Sequence, residues 1–192
     1  MGKIVISENV SLDGVIQDPA GDEGFRVGGW VGRVGDRGRE EAAKVLLDEV
    51  LGAEALLLGR RSYEFFARRW PSRSGELADR LNSLPKYIVS STLEAPAWNN
   101  STVLKGDVVA EVSKLKQRLN GELVIYASFR LVRTLLEHDL VDELRLMIYP
   151  VVLGAGERLF GEISDKKPLR LLDARIVGGD LAFLTYEPVR NP

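Results

Sequence analysis

The sequence predicts an α/β protein with a mainly parallel central sheet, helices on both of its faces and an antiparallel hairpin at the C-terminus. Three observations carry this. Short apolar runs rich in β-branched residues alternate with stretches of helical period through the first two-thirds of the chain. Several of those runs, such as "ALLL" at 55–58, are apolar throughout, as strands covered on both faces are. The last third changes character, since strand-like runs at 169–177 and 181–188 flank Gly178-Gly179-Asp180, a hairpin turn.

The elements follow in order. Residues 3–10 alternate and read as a strand closed by the turn "SLDG". Residues 15–35 are glycine-rich without a period, which predicts a long loop, and long loops in compact domains are commonly functional. Asp36 is a plausible N-cap for a helix carrying Ala42, Ala43, Leu46, Leu47, Val50 and Leu51, and Gly52 stops it. After strand 55–58, a helix over 61–69 ends before Pro71, and a short polar helix spans 75–83. Strands follow at 86–89 and 102–104. Val108, Val112, Leu115 and Leu119 mark one face of a helix. A strand at 123–126 leads to a helix opened by Ser128, with Leu131, Val132, Leu135 and Leu136 on its apolar face. A long strand covers 143–152, and "LGAGERLFG" is a glycine loop read first as a tight turn. There is no internal repeat or linker, so the 192 residues are expected to form a single domain over 1–192.

Composition narrows the function. The net charge is −2, against a nucleic-acid-binding face as the main role. There is no cysteine, which excludes disulfides and thiolate chemistry, and one histidine, His138, so no metal site is expected. No run approaches the length of a membrane span and the start lacks a signal-peptide pattern. The expectation is a soluble cytoplasmic protein without a nucleic-acid or membrane partner.

In open α/β sheets, ligands bind at the carboxyl ends of strands. Three such ends are polar here: Gly59-Arg60-Arg61-Ser62, then Ser90-Ser91-Thr92, then Ala127-Ser128-Phe129-Arg130. The first and third enter helices. Helix N-termini, hydroxyls and arginines together suit a ligand with several phosphates, such as a dinucleotide phosphorylated on its ribose. Singly, each is as well read as a turn or cap. Neither a G-x-G-x-x-G after the first strand nor a Walker A sequence is present.

The motifs "SLDG", "LLLGRRSYE", "KYIVSSTL" and above all "LVRTLLEHDLVDELRLMIYPVVLGAGERLF" occur in this order across almost the whole chain. With them the sequence resembles the dihydrofolate reductase-like family that includes the C-terminal reductase domain of the bifunctional riboflavin biosynthesis protein. The resemblance implies a three-layer sandwich around a mostly parallel sheet, NADPH as hydride donor and a homodimer. It implies that Gly59, Arg60, Arg61 and Ser62, with Ser90, Ser91 and Thr92, hold the adenosine-side phosphates. Ala127, Ser128, Phe129 and Arg130 would face the pyrophosphate and nicotinamide. Relatives commonly carry glycines in this third turn; here Ala127 and the large Phe129 stand there.

For catalysis, Asp13 in "SLDG" is the candidate carboxylate, as it ends the first strand. The substrate site is expected under the long loop, with Phe25 and Trp30 closing over a flat ring and Tyr63, Trp70 and Tyr149 lining the pocket. The reading is an NADPH-dependent reductase of a small pyrimidine- or pterin-like heterocycle, similar to 5-amino-6-(5-phosphoribosylamino)uracil reductase. Two alternatives stand beside it: a non-catalytic dimeric ligand-binding protein that keeps the fold, and a dihydrofolate reductase.

Overall fold

The structure is a computed structural model and describes residues 1–190. Its centre is an eight-stranded sheet. The strands are β1 (Lys3–Ser11), β2 (Ala53–Gly59), β3 (Lys86–Val89), β4 (Ser101–Leu104), β5 (Glu122–Tyr126), β6 (Glu143–Tyr149), β7 (Leu169–Val177) and β8 (Leu181–Pro188), in the spatial order β4-β3-β2-β5-β1-β6-β8-β7. All pairs from β4 to β6 are parallel; β8 pairs antiparallel with β6 and with β7. The C-terminal hairpin is therefore folded inward, with β8 inside and β7 at the edge.

Among the described residues five α-helices cover the sheet: α1 (Asp36–Gly52), α2 (Arg60–Ala67), α3 (Glu76–Ser83), α4 (Val108–Arg118) and α5 (Phe129–Glu137). The pleat decides which core each strand residue joins. Ile4, Ile6 and Val10 of β1 pack with Val112, Leu115, Leu131 and Leu135 from α4 and α5. Val5 points the other way, into a core shared with Val50 of α1, Tyr63 of α2 and Leu81 of α3. A third cluster joins Trp30 and Val34 to Met147, Tyr149, Leu181 and Phe183 under α1. The arrangement is three layers.

The boundaries shift from the sequence reading in a few places. Gly35, not Asp36, is the N-cap of α1; Asp36 is the first helical residue, where its charge meets the helix dipole and pairs with Arg39. β6 stops at Tyr149 because Pro150 has no N–H to continue a ladder. The helix read over 61–69 is α2, which ends earlier, with the N–H groups of Arg69 and Trp70 turning back to Phe66 O. Ser128 does precede α5, but its side chain caps nothing in that helix.

The 15–35 loop has more order than its composition suggests. The carboxylate of buried Asp18 accepts from Glu23 N at 3.1 Å and Phe25 N at 3.0 Å, and Asp18 O accepts from Gly21 N and Gly29 N. Gly28 packs so closely on this carboxylate that an added Cβ would sit 2.4 Å from Oδ2. Arg61 pairs with Glu23 at 2.8 Å and Arg69 with Asp22 at 2.7 Å, tying the loop to α2.

Candidate active site

A cavity of about 860 Å³ opens at the carboxyl ends of β2 and β5, beside β1. That is within the range of small-molecule and cofactor sites, roughly 300–1,000 Å³. Its origin is a stagger in the sheet. β5 ends at Tyr126, opposite Ser7, while β1 runs on beside β6 to Ser11. The gap beyond Tyr126 is bounded by α2, α5 and the 15–35 loop.

Two of the three predicted strand-end turns line the cavity. Gly59, Arg60, Arg61 and Ser62 form one wall and Ala127, Ser128, Phe129 and Arg130 another. Neither α2 nor α5 has a side-chain cap or an acid in its first turn, and each begins with arginine close at hand. The contrast within the same protein is α4, where Asp107 accepts from Ala110 N at 2.8 Å. Two helix N-termini thus bring unpaired N–H groups, partial positive charge and guanidinium donors to one space, a combination suited to phosphates. Gly59 has no conformational reason to be glycine: its φ is −73°, and an added Cβ would meet nothing nearer than Ser128 at 3.7 Å. What a side chain there would occupy is the space beside the turn.

The third turn, Ser90-Ser91-Thr92, stands outside the cavity lining. Ser90 Oγ closes its own turn, accepting from Leu93 N at 3.0 Å, and Thr92 Oγ1 accepts from Arg60 Nη1 at 2.5 Å. Arg60 is also held by Glu64 at 2.7 Å, so its guanidinium is fixed between α2 and this turn.

In the third turn, where the resemblance implies glycine, Ala127 and Ser128 take the conformation glycine would take, with φ of 53° and 63°. The left-handed region costs a non-glycine residue roughly 1–2 kcal/mol. Ser128 offsets part of this: its Oγ accepts from Gly59 N at 3.0 Å and donates to Tyr126 O at 3.2 Å, tying the two turns together. Phe129 is half-buried against the α4–α5 core, with the Arg133 guanidinium 5.0 Å from its ring centre. Ala127 has no such compensation. Ala127→Gly is expected to stabilise the fold by about 1 kcal/mol, read as a melting temperature higher by roughly 2–4 °C.

The other predicted residues divide. Trp70 lines the cavity. Trp30, Tyr63, Tyr149 and Phe25 do not. Trp30 donates to Gln17 O at 3.0 Å and packs edge-on against Tyr149, 5.3 Å between ring centres. Tyr63 OH accepts from Trp98 N at 2.9 Å in the core beneath α2. The Phe25 ring lies against Gly156, where an added Cβ would meet it at 3.0 Å. These four aromatics are packing residues of the loop and core, because the loop folds on Asp18 and not over the cavity ring by ring. Asp13 is likewise outside the cavity. Its carboxylate accepts from Ser11 Oγ at 2.7 Å, Leu153 N at 3.1 Å and Gly154 N at 2.8 Å. Led by the Leu153 N–H, these bonds hold it down at about 2, a permanent anion bracing two turns.

The carboxyl that does face the cavity is Glu8 on β1, which the sequence reading passed over. It is buried, its Oε1 has no hydrogen-bond partner among the described residues, and burial pushes its acid up to about 8. The signal was legible: Glu8 has the parity of Ile4, Ile6 and Val10, so it is an acid in a core-facing register. This sets a pH dependence. The unfolded chain releases the Glu8 proton near pH 4.5 and the folded one near 8, so stability from this group is full below about 4.5 and is lost as pH rises through about 8. Glu8→Gln has no such loss. Its urea midpoint is expected to gain on wild type steadily between about pH 5 and about pH 8.

Behind the cavity floor is a buried ionic network. Ser7 Oγ donates to Glu49 Oε2 at 2.8 Å, and Tyr126 OH reaches the same oxygen at 3.5 Å. Arg145 pairs with Glu122 and Glu143 at 2.6 Å each and with Glu49 at 3.7 Å. Burial raises Glu49, outweighing Ser7 and Arg145; burial also opposes ionisation of Glu143, but Lys3 and Arg145 win and lower it.

Sheet order, layers and the strand-end cavity define an α/β protein of dihydrofolate reductase-like fold. Solved structures share it. A dihydrofolate reductase from Enterococcus faecalis, solved with NADP(H), superposes with a TM-score of 0.63 at 14% identity, over 97% of this chain and 96% of that one. A protein from Shewanella sp. PV-4, described provisionally as a riboflavin biosynthesis protein, superposes with a TM-score of 0.77 at 22% identity, over 98% and 99%. Among curated proteins, the uncharacterized protein YyaP of Bacillus subtilis (strain 168) is 26% identical over 189 residues, 96% of this chain and 94% of its own. The RibD C-terminal domain model matches residues 2–183, and the chain belongs to that family.

Proposed function

We propose that the protein is an NADPH-dependent reductase of a small pyrimidine- or pterin-like heterocycle, with chemistry similar to that of 5-amino-6-(5-phosphoribosylamino)uracil reductase. The observation that carries this reading is the convergence of two uncapped helix N-termini, α2 and α5, with Arg60, Arg61 and Arg130 on one cavity. In this reading the dinucleotide, when bound, supplies a hydride. The chain binds and orients it: the N–H groups at Arg60–Ser62 and at the Ala127–Ser128 turn meet phosphate oxygens, and Arg60 meets the ribose phosphate from its seat between Glu64 and Thr92. Ser90 supports that seat from outside the cavity, its Oγ accepting from Thr92 N at 3.3 Å. The heterocycle takes the remaining space beside β1, with Trp70 and Phe66 on the α2 side.

The non-catalytic reading rests on the large Phe129 in the third turn and on the lack of a pocket carboxylate; Phe129 packs half-buried on the α4–α5 core and a carboxyl, Glu8, lines the cavity, so both grounds favour it less. We further propose a cytoplasmic homodimer built on β7. This edge strand carries Leu171, Leu172 and Ile176 at 51%, 47% and 77% exposure, a long uncovered edge of the kind proteins otherwise protect. Sedimentation of wild type should give twice the chain mass, and Ile176→Lys should move it toward one.

The test of the central reading is calorimetric titration with NADPH and with NADH at fixed salt. Micromolar NADPH with clearly weaker NADH supports it; binding of neither sinks it.

A further inference from the structure

Reduction of a C=N bond needs a proton as well as a hydride, and the strand-end turns offer donors for anions, not an acid. We propose that Glu8 is the proton donor, its carboxyl lining the cavity beside the Ala127–Ser128 turn and protonating the nitrogen of the C=N bond that is reduced in a bound substrate. This rests on the reductase reading given above.

Position argues for it first. Ser7 is opposite Tyr126, the last residue of β5, so Glu8 is the first residue of β1 past that end. It stands level with the turn that closes the cavity between α2 and α5. Elimination argues for it second. Glu23, Glu64 and Glu157 also line the cavity, but each is engaged by an arginine: Arg61 at 2.8 Å, Arg60 at 2.7 Å and Arg133 at 3.4 Å. Asp18 spends its carboxylate on the loop backbone. Glu49 is behind Ser7 and Tyr126 and bonded to both. Arg130 on α5 is the cation nearest in sequence to the turn, yet burial alone sets the Glu8 acid; no charged neighbour contributes. Energetics argues third. An unpartnered buried acid on a strand face otherwise made of Ile4, Ile6 and Val10 costs stability, and glutamine or an aliphatic residue would remove the cost. A group that weakens the fold at the ligand cavity is the kind of exception that function explains.

The step balances. Hydride from the dihydronicotinamide is added to the carbon of a C=N bond, the π pair moves to nitrogen, and the Glu8 O–H bond breaks as the N–H bond forms. Glu8 is left as carboxylate and regains its proton from water through the cavity mouth. An acid that keeps its proton at neutral pH is ready for this, while Asp13, held at about 2, is not.

Two measurements test the assignment. The infrared difference spectrum of wild type minus Glu8→Gln should carry the carbonyl band of a protonated carboxylic acid at pH 7, disappearing near pH 8. Turnover is then read with NADPH and 7,8-dihydrofolate, a C=N acceptor used as a probe. Glu8→Gln should bind NADPH within about twofold of wild type and lose on the order of 100-fold or more in kcat, with Glu8→Asp recovering part of it. The wild-type kcat should fall above about pH 8 and the residual Glu8→Gln rate should not. An ionised Glu8 at pH 7, or a Glu8→Gln kcat within threefold of wild type, overturns the assignment while leaving the reductase reading intact. Failure of wild type to bind NADPH overturns the reductase reading instead.

Discussion

Arg145→Ala is expected to cost roughly 3–5 kcal/mol at neutral pH, the largest loss from any single change considered for this fold. The side chain is 16% exposed and is the shared counter-charge of Glu122, Glu143 and Glu49 between β1, β5, β6 and α1. Removing it leaves three carboxylates in a space with little water and only Lys3 to pair with Glu143. The penalty is that of unpaired buried charge, larger than the net worth of the ion pairs themselves. It should shrink in acid. With Arg145 present the Glu143 carboxyl is held below its usual range, so its contribution is present above about pH 4.5 and lost as pH falls through the lowered value. Without Arg145, Glu143 takes up its proton at higher pH and the cost of burying it falls. Urea midpoints at about pH 7 and about pH 4 read both effects. Equal losses at the two pH values would show that packing of the arginine stem, and not charge, sets the cost.

Arg60→Ala is expected to weaken NADPH by at least tenfold, and on the order of 100-fold if two charge-assisted hydrogen bonds are lost, while NADH changes by less than about threefold. The difference is the point, because both cofactors share the pyrophosphate and only one has the extra ribose phosphate. The fold should hardly notice: the Arg60–Glu64 pair is on the surface, worth about 0–1 kcal/mol. Gly59→Ala makes the companion test. The backbone at Gly59 suits any residue and the nearest atom to an added Cβ is 3.7 Å away, so the melting temperature should hold while NADPH and NADH weaken together. Equal loss of both cofactors in Arg60→Ala would move Arg60 from the ribose phosphate to the pyrophosphate.

Periodicity alone determined most of the architecture. Alternation in 3–10, the apolar run at 55–58 and the i, i+3, i+4 spacing of Leu131, Val132, Leu135 and Leu136 report local geometry, and the structure has a strand or helix at each. The glycines and hydroxyls at strand ends marked two walls of the cavity for the same reason: a turn into a helix is a local event. The order of strands beyond the first parallel set, with β8 slipped between β6 and β7, depends on contacts between residues far apart in the chain.

The same divide runs through the site. Asp13, Phe25, Trp30, Tyr63 and Tyr149 have residue types that suit a pocket, and only packing shows that they brace turns and cores. Glu8 has a type that suits a surface. Its strand parity placed it on the core face, but that it faces a cavity follows from β5 stopping one residue short of it, a stagger between strands more than a hundred residues apart in sequence. Sequence period fixes which face a side chain takes; what stands opposite that face is decided by the chain's other segments, through the tertiary packing that alone turns an acid in a core register into a carboxyl lining a cavity.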